Sequence, residues 1–288
     1  MIDVNRRYVV SKVRELFGQY CSEDANIESV LENQLCPYNN KKCFKTRKSD
    51  SETSIGTCTV NYQNKDIIIC PNRLTEKSQI FVDCLHLLTL HEPGNELYII
   101  PEVTIPGGHV DFFLVSAKNK KVKDFVGIEL QTMDTTGTVW PERQRLLDEH
   151  GIYVPKDDIN NKKPFGMNWK MTAKTILVQM HHKAQTFENL NKHLVLIIQK
   201  PLYEYMRKEF SFSHIQGVRV GDAVHFHSYD VVEEDKGLHL ALDTRVSTDT
   251  NGVAECLGLN AEANVELEDI IALLESKLLD EYRLTLIV

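Results

Sequence analysis

The amino-acid sequence predicts an α/β (α+β) protein in which helices flank a mixed central sheet and a small four-cysteine module lies ahead of it. Three observations carry this. Strand-like segments follow one another at Leu97–Ile105, His109–Ser116 and Asp124–Gln131, joined by Pro106-Gly107-Gly108 and by a lysine-rich turn at 118–123. A helical period from Asn168 to about Asn189 leads into the continuous apolar run His193–Gln199; strand, helix and buried strand make a parallel crossover, so the sheet is mixed. Residues 36–73 are polar, hold four cysteines and have too few large apolar groups for a core of their own, the signature of a metal-stapled knob.

Taken in order, residues 1–35 read as helical, with one stripe from Val9, Val10, Val13, Leu16 and Phe17 and another from Ile27, Val30, Leu31 and Leu35. Thr75–His91 reads as a helix with Ile80, Phe81, Cys84, Leu87 and Leu88 on one face and Pro93-Gly94 as its stop. Pro141–His150 reads as a short helix, Pro in its first turn and Gly151 just past its end. Trp169, Ala173, Ile176, Leu177, Met180 and Ala184 recur at helical spacing in the long helix. Ala223–Val232 alternates like a half-exposed strand, and Val265–Leu279 reads as an amphipathic helix. The expected division is residues 1–74, helical region and cysteine module, and residues 75–288, the core with its C-terminal helix.

The 288 residues suffice for one large core or a core plus a small module. No apolar run approaches the roughly 20 residues of a membrane helix, and the N-terminal segment has no apolar core for export, so no membrane association and a cytoplasmic location are expected. A net charge of −8 argues against a nonspecific polyanion binder. The positive charge is local, at Lys41, Lys42, Lys45, Arg47 and Lys48 and again at 118–123. That pattern suits contact with nucleic acid in one cleft; the alternative is a pair of solvated loops. There is no phosphate-binding G-x-x-x-x-G-K-[ST] loop and no serine nucleophile motif.

Placing Pro106-Gly107 at the tip of the first hairpin sets Glu102 opposite Asp111, and centring the second on Lys120 sets Asp111 opposite Glu129. Glu102, Asp111, Glu129 and Gln131 then share one face. Clustered carboxylates repel, and a divalent cation is the usual reason to tolerate them. Mg²⁺ takes oxygen ligands and can position a phosphate, which points to a Mg²⁺-dependent nuclease; the bland alternative is half-exposed strand residues without a ligand. Cys36, Cys43, Cys58 and Cys70 are separated by six, fourteen and eleven residues, with Pro after Cys36 and after Cys70. Four thiolates in a core-poor segment suit a closed, structural tetrahedral site for Zn²⁺ or iron; the alternative is four unrelated thiols.

The pattern Asp111…Glu129-Leu-Gln131 on a hairpin, followed by a crossover helix and buried strand, resembles the PD-(D/E)XK nuclease core. Within that superfamily, Pro101-Glu-Val, Val110-Asp-Phe-Phe and Asp124-Phe-Val-Gly-Ile-Glu-Leu-Gln-Thr-Met-Asp-Thr-Thr-Gly137, with the upstream cysteine quartet, resemble the NotI-type type II restriction endonucleases. The resemblance implies a homodimer that cuts both strands of a specific duplex DNA sequence, partnered in its system by a cognate DNA methyltransferase outside any complex. It implies Asp111 and Glu129 as Mg²⁺ ligands, Gln131 where lysine is usual, Glu102 as an auxiliary acid, and iron rather than zinc on the cysteines. Rival readings are a repair or junction nuclease on the same core and a non-catalytic metal-containing DNA-binding regulator.

Lys170, Lys174, His182 and Lys183 lie on the long helix and are candidate DNA contacts, against a solvated helix face as the plain reading. His225 and His227 share one side of a strand and could chelate a metal, but ordinary core or surface histidines are the expectation.

Overall fold

The computed structural model describes residues 11–47, 50–160, 164–215, 217–219, 221–235, 237–259 and 267–276. Its N-terminal part is an antiparallel sheet of Gln19–Tyr20, β1 (Val13–Leu16), β2 (Thr57–Tyr62) and β3 (Lys65–Ile68), in that spatial order. The expected first helix is therefore corrected. Residues 1–10 lie outside the described residues, while Val13, Leu16 and Phe17 belong to a strand and its turn. Phe17 and Gly18 both take positive φ, at 49° and 75°, the backbone a tight two-residue hairpin requires. The second stripe does form a helix, α1 (Ile27–Asn33), capped by the Asn26 side chain.

The central sheet has six strands: β4 (Glu96–Ile105), β5 (Gly108–Lys118), β6 (Lys121–Gln131), β7 (His193–Gln199), β8 (Val224–Glu234) and β9 (Gly237–Thr248). Their spatial order is β9-β8-β7-β6-β5-β4. β6, β7 and β8 run parallel and the outer pairs antiparallel, so the sheet is mixed, as the crossover required. After α2 (Trp140–Glu149), the crossover from β6 to β7 is α3 (Trp169–Asn189); that from β7 to β8 includes α4 (Lys200–Glu209). Neither α4 nor β9 is expected from the sequence pattern. Leu267–Glu275 is helical, within the expected C-terminal helix, whose residues 265–266 and 277–279 lie outside the described ones.

Two cores cover the sheet, one on each face. Phe113, Val115, Leu194, Leu196, Ile198 and Phe226 face α3, whose Ala173, Ile176, Leu177, Met180, Ala184 and Phe187 pack on them. Leu114, Val126, Ile128, Val195, Ile197 and Tyr229 face the other way, against Ile80, Phe81, Cys84, Leu87 and Leu88. Leu194–Ile198 are buried on both faces, each contributing about 1.5–3 kcal/mol by burial. The N-terminal sheet is continuous with these cores, because Ile67 joins the first and Ile68 the second.

Thr75–His91 is not one helix. It is a 3-10 segment, Pro71–Ser78, a short α-helix, Gln79–Asp83, and a 3-10 turn, Leu85–Leu87. The break falls at Glu76, Lys77 and Ser78, the last two at positive φ. Its cause is tertiary. Arg73, 0% exposed, donates from Nε to Glu15 at 2.8 Å, from Nη1 to Glu76 at 2.8 Å and from Nη2 to the Leu238 carbonyl at 2.5 Å. Glu76 also accepts from the Leu240 amide at 2.9 Å and meets His239. One buried guanidinium thus joins β1, the 3-10 segment and β9. Arg73→Ala should lower the unfolding free energy by about 3–5 kcal/mol, since it strands the buried Glu15 carboxylate. Denaturant unfolding measures this, and a loss below about 1 kcal/mol would contradict it.

Candidate active site

The two hairpins form in the expected register around the carboxylates. β5 pairs with β4 at Gly108–Ile105, His109–Thr104 and Val110–Val103, then at Phe112–Pro101. Asp111 and Glu102 stand between these pairs, and Glu102 takes φ +52° inside the strand. A non-glycine residue there costs on the order of 1–3 kcal/mol and clusters at functional sites. β5 pairs with β6 from Phe112–Ile128 to Ser116–Asp124, with a bulge beyond Ser116. The ladder ends at Phe112–Ile128, which leaves the Leu130 amide beyond it, and Asp111 Oδ2 accepts from that amide at 2.8 Å. That bond draws the Asp111 carboxylate across to β6 beside Glu129.

Glu129 is 4% exposed and its Oε1 accepts from Lys183 Nζ at 2.6 Å. Three glycines let α3 come close enough for this. A Cβ on Gly127 would stand 2.3 Å from the Phe187 ring, one on Gly107 2.6 Å from the His182 carbonyl, and one on Gly108 3.3 Å from Lys183 Cε. Gly127 and Glu129 are alternate residues on one strand face, and Lys183 and Phe187 are one helical turn apart. Seating Phe187 over Gly127 therefore seats Lys183 over Glu129. Thr186 Oγ1 fixes the helix further by donating to the Pro106 carbonyl at 2.8 Å.

Electrostatics follow from this burial. Desolvation raises the Glu129 carboxyl to about 7, against the opposing pull of Lys183, and neighbouring Asp111 adds to the rise. Burial also raises Asp111, while the Leu130 amide and Lys183 hold it down and Glu102 pushes it up. Asp111, Glu129, Lys183 and Glu102 thus form one interacting group. Asp111 Oδ1 and Glu129 Oε2 have no hydrogen-bond partner among the described residues. Gln131 shares the strand with Glu129, but its amide donates to the Thr132 carbonyl at 2.6 Å.

The cysteine quartet spans four elements. Cys36 lies in the Leu35–Cys36 strand, Cys43 follows Lys41–Lys42, Cys58 is on β2 and Cys70 caps the 3-10 segment. All are free thiols. Cys58 Sγ donates to the Gly56 carbonyl at 3.4 Å, and the neighbouring Cys70 together with burial raises its thiol well above the ordinary range. The sulfur donor set is right for a soft tetrahedral ion, although no group of three or more His, Cys, Asp or Glu among the described residues stands ready-arranged for a metal. Ile68, two residues before Cys70, accepts from the Met133 amide at 3.2 Å and donates to Gln199 Oε1 at 2.9 Å, so this module is tied to the end of β6.

The proposed DNA contacts divide. Lys41, Lys170, Lys174 and His182 are exposed, and so is Lys42, which pairs with Glu52. Lys45 donates to the Ile69 carbonyl at 2.7 Å, and Arg47 pairs with Asp158 at 3.2 Å and stacks on Trp140. Lys48 lies outside the described residues. Lys183 is buried in the carboxylate cluster rather than on a solvated helix face. Its signal was present in the sequence, since 176, 180, 183 and 187 continue the buried stripe. His225 and His227 face the opposite side of the sheet, buried, near His193 and Cys84. Burial lowers both to about 3, so they are neutral core histidines.

The raised Glu129 value means that the fold favours the protonated carboxyl. Its contribution to stability is present below the ordinary carboxylate range and is lost as pH rises through about 7. In chelator-treated protein the Glu129 carboxyl resonance, assigned by its disappearance in Glu129→Gln, should titrate with a midpoint near 7. A signal flat above pH 5 is the contrary result.

Comparison with known proteins finds no match among curated proteins, whereas residues 27–237, a stretch that holds the cysteine quartet, β4 to β8 and α3, match the family described as Restriction endonuclease NotI.

Proposed function

The chain belongs to the Restriction endonuclease NotI family and is thus a type II restriction endonuclease acting on DNA; from that premise we propose that it hydrolyses phosphodiester bonds in both strands of a specific duplex sequence, as a Mg²⁺-dependent homodimer. The observation that carries the reading is the convergence of Asp111 and Glu129, each with an oxygen still free, beside the Leu130 amide. Mg²⁺ needs only one or two protein carboxylates, completing its octahedron with water and phosphate oxygens, so this pair suffices as its protein ligands. When bound there, the ion would supply charge to the phosphoryl oxygens and acidify the attacking water.

In the reaction a water oxygen bonds to phosphorus and one P–O ester bond breaks; the water loses a proton and the leaving alkoxide gains one. Asp111 and Glu129 would hold the ion, and Asp111 is itself fixed by the Leu130 amide. Glu102 adds negative charge next to Asp111 from the strained strand position. Gln131 is neutral and cannot act as a base at pH 7, though its amide can orient a water or a phosphate oxygen. Lys41, Lys42, Lys170, Lys174 and His182 are the exposed candidates for phosphate contact, a role that a salt slope would report. A palindromic site read by a two-fold dimer motivates the homodimer. A cytoplasmic location and a cognate methyltransferase acting separately complete the proposal; no described helix is long and apolar enough to cross a membrane.

A sequenced plasmid incubated with the protein and Mg²⁺ should yield discrete fragments whose ends map by run-off sequencing to one short motif. Asp111→Ala and Glu129→Ala should each lower cutting on the order of 10²–10³-fold or more, with DNA binding kept in Ca²⁺. Cutting retained by either variant, or plasmid left intact by the wild type under every divalent ion tried, would refute the assignment.

The four cysteines are proposed to hold a structural iron or zinc ion. Elemental analysis should find about one equivalent per chain, lost in Cys58→Ser with a fall in thermal stability; metal-free protein of undiminished stability would count against it.

A further inference from the structure

We infer that Lys183 is a catalytic residue, its ammonium reaching from α3 to a non-bridging oxygen of the scissile phosphate and supplying the positive charge that Gln131 lacks. The inference rests on the nuclease reading above and deepens it.

The geometry is specific. Lys183 is 5% exposed, and among the described residues Nζ has one hydrogen-bond partner, Glu129. An ammonium carries three donors, so two remain beside the Asp111–Glu129 pair. The side chain is also close enough to Asp111 to act on it electrostatically. Its place is built rather than incidental: Gly107, Gly108 and Gly127 clear the helix backbone, the Lys183 stem and the Phe187 ring in turn.

Charge explains why such a group is needed. In the hydrolysis written above, negative charge grows on the phosphoryl oxygens as the water oxygen bonds and the ester bond breaks. Asp111, Glu129 and Glu102 together bring three carboxyl groups to the site. A single divalent ion leaves little positive charge for the transition state. The side chain at 131 adds none, and its amide is turned onto the Thr132 carbonyl. Lys183 is the buried cation at hand. A structural counter-ion to Glu129 is the competing explanation, and it predicts different behaviour once Mg²⁺ saturates the carboxylates.

The test uses the full chain and a duplex oligonucleotide carrying the site mapped with wild-type protein. Lys183→Met should lower the single-turnover cleavage rate at saturating Mg²⁺ by about 100-fold or more, with Lys183→Arg recovering at least about tenfold of that. DNA affinity in Ca²⁺ should stay within about fivefold of wild type. Calorimetric titration of DNA-free protein with Ca²⁺ should show tighter binding in Lys183→Met, because a competing cation has left Glu129. Lys183→Gln makes the same comparisons if Lys183→Met fails to fold. Cleavage within about threefold of wild type at saturating Mg²⁺, with tighter Ca²⁺ binding, overturns the inference in favour of a counter-ion. Slower cleavage with equally weakened DNA and Ca²⁺ binding overturns it in favour of a packing role. Wild-type protein that cuts no DNA removes the parent reading as well, a result distinct from either of these.

Discussion

The close seating of α3 on β6 is the constraint from which the site follows. Gly127 has no side chain, so the Phe187 ring lies directly on the strand, and the same approach lowers Lys183 onto Glu129, two residues along. A buried ammonium–carboxylate pair gains little net stability, since desolvating two charges offsets most of their attraction. Its location beside Asp111 therefore speaks for chemistry more than for cohesion. The apolar stripe of α3 supplies the cohesion, and the charged pair is carried on it.

The hairpin of β4 and β5 approaches the same place from the sheet edge. Its Pro106-Gly107-Gly108 tip is clamped against α3 by Thr186, and its carboxylate, Asp111, is drawn to β6 by the Leu130 amide. Glu102 occupies left-handed backbone at this crossing. Local strain, a buried ion pair and two carboxylates thus meet within a few residues. The cysteine-bearing segment meets the C-terminal end of β6 just past Glu129, where β3 bonds to Met133 and to Gln199 of β7. A structural ion there would stiffen the strand end that follows Glu129.

Much of the site was legible because strand alternation and short turns are local properties. Once Pro106-Gly107 and Lys120 were placed in turns, the alignment of Glu102, Asp111 and Glu129 was arithmetic, and the register around them has that form. The turn falls at Asn119–Lys120 rather than being centred on Lys120, and the bulge between Ser116 and Ala117 shifts the ladder by one residue into the register that sets Asp111 across from Glu129. The burial of Lys183 was hidden because the motif His181-His182-Lys183 looks polar. Its helical spacing puts it on the buried stripe, and only the fold supplies the carboxylate that makes burial tolerable. Gln131 keeps its strand position, yet its amide turns to the chain's own backbone, a choice no pattern announces.

By itself the sequence determined the mixed sheet, the α3 crossover and both hairpins, since each rests on the periodicity of a single element or on local turn chemistry. Tertiary structure decided the rest. It made a strand of Val13–Leu16, whose apolar spacing suits either form, by pairing it with β2. It broke Thr75–His91 by pulling Glu76 toward Arg73 and β9. It added β9, an edge strand of weak alternation, through its long antiparallel ladder with β8. And it brought Lys183 to Glu129 across 54 residues of chain, a contact that exists only because two packed layers approach where glycine allows it.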